Sequence, residues 1–185
     1  MSPGSKEDEG SSSGLVLTGE RLRLRRGRSE DGSALQRLFE CPGVVRWWGP
    51  QSQSELDELV NDADPEVTVL MIDFDGAAVG LIQFHEEDDP MYRHAGIDLA
   101  IHDDFQGQGL GPEAIRLVVD HLASIGHHRI VIDPNAANNN AIKAYERVGF
   151  KPVGTMRDYE WSHTSQTWTD GLLMELLIRE LPRSS

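Results

Sequence analysis

Gln106-Gly107-Gln108-Gly109-Leu110-Gly111 is the stretch that decides the fold. It stands between an apolar run, Ile97-Asp98-Leu99-Ala100-Ile101, and a segment in which Ala114, Leu117, Val118, His121 and Leu122 recur at helical spacing. The first reads as a buried strand and the second as a helix, so the glycines mark a strand-to-helix turn. Glycine lets backbone come close to a ligand. The N–H groups of a helix's first turn lack partners and attract anions. Pro112 suits the position, since a first-turn proline loses no hydrogen bond. The pattern predicts a phosphate cradle. A P-loop is excluded, because Pro112-Glu113 follows the last glycine where Lys and Ser or Thr would stand. Glycines at 107, 109 and 111 do not fit the dinucleotide spacing Gly-x-Gly-x-x-Gly either.

A second segment, Asn138-Asn139-Asn140-Ala141-Ile142-Lys143-Ala144-Tyr145-Glu146-Arg147-Val148-Gly149-Phe150, has its own helix punctuation. Asn138 is a good N-cap, Ala141, Ala144, Tyr145 and Val148 share a face, and Gly149 stops the helix.

The surrounding chain punctuates in the same way. Leu15 to Arg26 alternates loosely and predicts a first strand. Ser29 opens a helix carrying Leu35, Leu38 and Phe39. Ser52-Gln53-Ser54-Glu55 is a capping box that opens a second helix through Leu56, Leu59 and Val60. Val67 to Phe74 and Ala78 to His85 predict strands around the hairpin signal Asp75-Gly76. Ala95 to Ile101 is the fourth strand, Gly109 to Ser124 the third helix, Arg129 to Asp133 the fifth strand and Asn138 to Val148 the fourth helix. Lys151 to Tyr159 and Thr167 to Leu177 close the chain as an antiparallel pair.

Seventeen basic against 31 acidic residues give a net charge of −14. This argues against nonspecific nucleic-acid binding, which needs basic surface, and favours a cationic partner or substrate. A single cysteine, Cys41, rules out an internal disulfide and fits a reducing cytoplasm. With no secretory or long apolar segment, no membrane association is expected. Residues 1–14 read as a disordered tail of Ser, Gly and acid. Residues 15–182 read as one domain. Its seven histidines show no ligand spacing, so no metal is expected.

The glycine loop matches Gln/Arg-x-x-Gly-x-Gly, and the second segment matches Asn-x-x-Ala-x-x-x-Tyr-x-x-x-Gly-Phe. Together they resemble the GNAT superfamily of N-acetyltransferases, whose order β-α-α-β-β-β-α-β-α-β-β the expected elements follow. The resemblance implies an α/β (α+β) GNAT fold: a mixed, mostly antiparallel sheet of about seven strands with four helices, its fourth and fifth strands splayed. It implies acetyl-CoA as cofactor, held by Leu99, Ala100 and Ile101, by Gln106, Gly107, Gln108, Gly109, Leu110 and Gly111, and by Asn138, Asn140 and Tyr145. Tyr145 matches the tyrosine that protonates the departing thiolate.

Asp98 is the candidate base, being a carboxylate inside an apolar strand, where it is costly without a partner or a task. Glu86 and Glu87 are the runner-up bases. A hydrogen-bonded structural aspartate, and water in place of any base, remain the alternatives.

A narrower resemblance, to aminoglycoside 6′-N-acetyltransferases, rests on Val44-Val45-Arg46-Trp47-Trp48-Gly49, Gly96-Ile97-Asp98, Asp133-Pro134, Asp170-Gly171 and the acidic run Glu86 to Pro90. It implies an acceptor site of Trp48, Glu86, Glu87, Asp98, Asp133 and Asp170 around a small cationic amine, and a resistance function. Phe84 and His85 stand where that group has tryptophans, and the last hairpin, Tyr159 to Trp168, is longer. Both departures leave the acceptor position open, including the 2′-amine of a smaller drug such as kasugamycin. Protein N-terminal acetyltransferases of the ribosomal-protein type, lysine N-acyltransferases of siderophore synthesis and a CoA-binding sensor without turnover are the other readings. The chain is expected to act as a monomer or homodimer.

Overall fold

A computed structural model describes residues 14–61, 64 and 66–181. The tail expected over 1–14 lies outside them apart from Gly14, as does Pro182. Eight strands form one sheet in the order β1-β2-β3-β4-β5-β6-β8-β7. Five α-helices accompany them among the described residues. The sheet comprises β1 (Val16–Thr18), β2 (Leu22–Arg26), β3 (Val67–Phe74), β4 (Ala77–Glu87), β5 (His94–Ile101), β6 (Arg129–Ile132), β7 (Lys151–Ser162) and β8 (Thr167–Leu177). The helices are α1 (Gly32–Glu40), α2 (Pro42–Trp48), α3 (Gln53–Asn61), α4 (Leu110–Ser124) and α5 (Asn139–Val148).

One strand and one helix exceed the sequence reading. Leu15 to Arg26 is two strands, because a tight turn closes at Gly19, whose N–H donates to Leu22 O at 2.8 Å. The extra helix is α2. Pro42 stands in its first turn, and Gly49, at φ 74°, ends it.

Both faces of the sheet are covered, which is why Val69, Leu70, Met71 and Ile72 are all buried in one strand. Met71, Leu81 and Ala100 pack against Leu35, Leu38, Phe39, Val44 and Leu56 of α1 to α3. Ile72, Ile82, Ile97 and Ile130 pack against Ala114, Ile115, Val118 and Tyr145 of α4 and α5. The capping box is present: Ser52 N–H donates to Glu55 at 2.6 Å and Glu55 N–H returns to Ser52 Oγ at 3.3 Å. Asp75 and Gly76 take φ 48° and 79°, the left-handed pair that a two-residue hairpin needs.

One feature of the sheet creates the cleft. β5 and β6 are parallel and pair only through Ala95–Ile130 and Gly96–Val131. Beyond Gly96, β5 continues to Ile101 beside β4 but has no neighbour on its β6 side. The strands splay, as the resemblance implied.

Candidate active site

The splay opens a cleft of about 940 Å³ lined by β5, the glycine loop, the start of α5, α2 and Glu160 of β7. Gly107 and Gly109 adopt φ 75° and 81°, which residues with a Cβ avoid, and α4 starts at Leu110. Among the described residues no protein group accepts a hydrogen bond from the N–H of Gly107, Gln108 or Gly109. All three donors are therefore uncommitted beside the positive end of α4, and Gly107 and Gly109 line the cleft. Arg21 steadies the loop by donating to Gln108 O at 3.1 Å while bridging to Glu113 at 2.8 Å. The Gln106 side chain is spent inside the turn, donating to Ile101 O at 2.8 Å and Asp103 at 3.1 Å. Leu110 buries its side chain in the core, so only its backbone is available to a ligand.

Opposite the loop, Asn138 caps α5 by accepting from Ala141 N–H at 3.2 Å. Asn138 and Asn140 line the cleft together with Leu99, Ala100 and Ile101 on the open side of β5. Free donors at a helix start, next to an unpaired strand edge, fit a diphosphate joined to a strand-like amide arm.

Asp98, Asp133 and Tyr145 line the inner end of the cleft. Asp98 Oδ2 accepts from Gln83 Nε2 at 3.3 Å across the β4–β5 ladder. Burial holds its carboxyl above the usual range; Asp133 adds to the rise, and Gln83 and then His85 oppose it. A Cβ on Gly96 would collide with the His85 ring, so that ring lies directly over the strand next to Asp98. Tyr145 is buried, on the face it shares with Val148, and its hydroxyl has no hydrogen-bond partner among the described residues. Burial first, then the charges of Asp98 and Asp133, push its pKa well above the ordinary phenol value. Tyr145 is therefore a neutral phenol within electrostatic reach of Asp98 and Asp133.

Asp133 accepts from the hydroxyl of Tyr159, whose pKa rises to about 12 through that bond and burial. Beside it, Asn135 donates to Glu160 and to Thr169 Oγ1, the latter at 2.9 Å. The β7–β8 hairpin curls far enough that a Cβ on Gly49 would lie 2.8 Å from His163 Cδ2. Its tip therefore packs on the end of α2 and roofs one side of the cleft. There Trp48 meets Phe39 edge-on, with ring centroids 5.7 Å apart, and Arg46 stacks over Trp47 at 4.6 Å.

Three expected acceptor residues are not in this cleft. Strand alternation turns Glu86 to the opposite face of the sheet from Asp98, where it accepts from His127 Nε2 at 2.7 Å. Glu87 shares the Asp98 face but stands exposed at the end of β4, opposite His94, and accepts from Asp89 N–H at 2.9 Å. Asp170 is exposed and accepts from Asp158 N–H at 3.0 Å, holding the irregular bend of β7. Conversely, Gln83, Asn135, Tyr159 and Glu160 belong to the site and were not singled out from sequence. The departure noted in the last hairpin was the signal for the last two.

Glu86, Asp88 and His127 bring three ligand atoms within 4.8 Å of one another on the far face. His127 Nδ1 is buried without a partner. A metal on Nε2 would leave that N–H unsatisfied, which disfavours ligation.

Residues 33–150 match the family described as acetyltransferase (GNAT). The chain is 28% identical over 155 residues to aminoglycoside N(6′)-acetyltransferase type 1 of Klebsiella pneumoniae, covering 73% of this chain and 76% of that one. It is 23% identical over 141 residues to spermidine N(1)-acetyltransferase of Escherichia coli (strain K12), covering 73% and 75%. The fold superposes on Mycobacterium smegmatis RimJ in complex with CoA-disulfide with a TM-score of 0.82 at 20% identity, covering 94% of this chain and 92% of RimJ. A splayed sheet, a glycine loop with free donors and a family match over most of the described residues agree on one conclusion: this protein belongs to the acetyltransferase (GNAT) family and takes acetyl-CoA as its acyl donor.

Proposed function

We propose that the chain acetylates a primary amine of an aminoglycoside, a reaction that would confer resistance by removing one of the drug's positive charges. The observation that carries this reading is the set of carboxylates Asp98, Asp133 and Glu160 on one cleft, walled by Trp47 and Trp48. A polycationic sugar needs several anions and an aromatic wall around a single cavity. A net charge of −14 supports the same choice by drawing cations to the surface.

In this reading acetyl-CoA supplies an activated acyl group as a thioester. The loop from Gln106 to Gly111 holds the diphosphate, and the open edge of β5 at Leu99, Ala100 and Ile101 holds the amide arm. Asp98 attracts the substrate ammonium and accepts its proton. A carboxylate with a raised pKa is a stronger base than a surface one. The amine nitrogen then forms its bond to the acyl carbon as the carbon–sulfur bond breaks. Tyr145 donates its hydroxyl proton to the sulfur that leaves. Asp133, fixed by Tyr159, and Trp48 position the remainder of the acceptor.

The roof formed by the β7–β8 hairpin on α2 favours a compact acceptor over a peptide lying in an open groove. A polyamine is the second reading, because the same carboxylates suit it and the spermidine enzyme matches the chain over a similar share of its length. Thiol release from acetyl-CoA, measured with kanamycin, spermidine and N-terminal peptides, separates these. Turnover of kanamycin above both others supports the proposal, and turnover of the peptides alone overturns it.

A further inference from the structure

The cleft does not end at Asp98. A smaller annex of about 130 Å³ continues between the end of α2 and the tip of the β7–β8 hairpin. Arg46, Trp47, Asn135, Trp161 and His163 line it, and Glu160 belongs to the walls of both cavities. Its volume has room for about four waters, at about 30 Å³ each in the liquid. That is the size of one short amine-bearing arm and too small for a second sugar with its substituents.

Glu160 is the chemically unexplained group there. It is half-buried, and its carboxylate takes a hydrogen bond from Asn135, which leaves lone pairs free. No described Lys, Arg or His forms an ion pair with it. A partly desolvated carboxylate without a counter-charge is costly, and Asn135 holds it in place rather than neutralising it. Arg46, a cation that lines both cavities, is exposed and stacked on Trp47, so water already solvates its charge.

We infer that Glu160 is a specificity-determining residue that binds a second ammonium group of the acceptor in the annex, while Asp98 meets the amine that reacts. This rests on the cationic-acceptor reading and narrows it. The enzyme selects acceptors carrying two amines, one at the β5 end and one beneath the hairpin. The selection comes from the hairpin, since a chain ending β7 before Glu160 would have no anion at this wall.

The test compares kanamycin with 6-amino-6-deoxyglucose, which keeps one amine, using acetyl-CoA and thiol release. Glu160→Gln keeps an acceptor for Asn135 and removes only the charge. The ratio of kcat/KM for kanamycin to that for the single amine is expected to fall at least tenfold, through KM rather than kcat, and Glu160→Asp is expected to restore part of it. An unchanged ratio, or equal loss on both acceptors with a lowered Tm, overturns the inference. If the wild-type chain acetylates spermidine but not kanamycin, the drug reading fails, and the ratio of spermidine to butylamine decides the role of Glu160 in the same way. Turnover of neither polycation overturns both.

Discussion

Among the described residues, Gln83 Nε2, 3.3 Å from Asp98 Oδ2, is the one side-chain donor to the half-buried carboxylate of β5. Gln83 lowers the Asp98 pKa against burial and Asp133, which raise it. Replacing the donor by Gln83→Leu is expected to raise that pKa further. The acidic limb of the kcat/KM profile should then move to higher pH. A limb left in place would assign it to another group.

Tyr145→Phe is expected to lower kcat about 10²-fold, the usual scale for a lost general acid, and to leave coenzyme A affinity nearly unchanged by calorimetry. Burial beside Asp98 and Asp133 keeps the wild-type phenol protonated beyond its ordinary pKa. The wild-type kcat should therefore show no alkaline loss from this group below a pH of about 10.

Gly109→Asp replaces a residue at φ 81° beside uncommitted N–H groups. A Cβ there is strained whatever the space, and a carboxylate would repel the diphosphate. Coenzyme A binding should weaken severely in a variant whose unfolding curve shows it is folded. Retained affinity would move the diphosphate off this loop.

Arg25 is clamped between Asp31 and Asp73, at 2.7 Å from each. Asp31 is buried, and the guanidinium holds its carboxyl below the usual range. The depressed pKa gives stability that is present above the unfolded value, near pH 4, and is lost as pH falls through the folded one. Asp31→Asn is expected to cost about 3 kcal/mol at neutral pH, the scale of a broken buried pair. Urea unfolding at pH 7 measures it, and the deficit should shrink in acid.

The acceptor carboxylates should make binding salt-sensitive. Screening acts over about 8 Å at physiological ionic strength. KM for kanamycin is expected to rise with added salt more than KM for acetyl-CoA, and an equal response would argue for an uncharged acceptor.

The loop, the Asn138 cap and the placement of Asp98 were legible in the sequence because each is local. Glycine spacing sets the turn, an N-cap needs only its own helix, and a lone acid in an apolar strand marks itself. Glu86 was misread because its role depends on which face of β4 it takes and on His127, forty-one positions away. Glu160 was not legible because the register of β7 shifts between Met156 and Glu160, around Asp158 at φ 50°. Past such an irregularity, simple alternation no longer tells which way a side chain points. The α2 helix was missed because only seven residues, Pro42–Trp48, form it. That is too short for a helical period to emerge.

Asp98→Asn tests the central claim most directly. Burial raises the Asp98 pKa, so its stability contribution is complete below the unfolded pKa and lost as pH rises through the folded one. A neutral Asn should therefore leave the fold at least as stable at pH 7, and any loss of rate is chemical. With kanamycin and acetyl-CoA, kcat and kcat/KM are expected to fall together by more than tenfold, the pattern of an interaction made in the transition state. A wild-type rate in Asp98→Asn would contradict the account and place the base elsewhere.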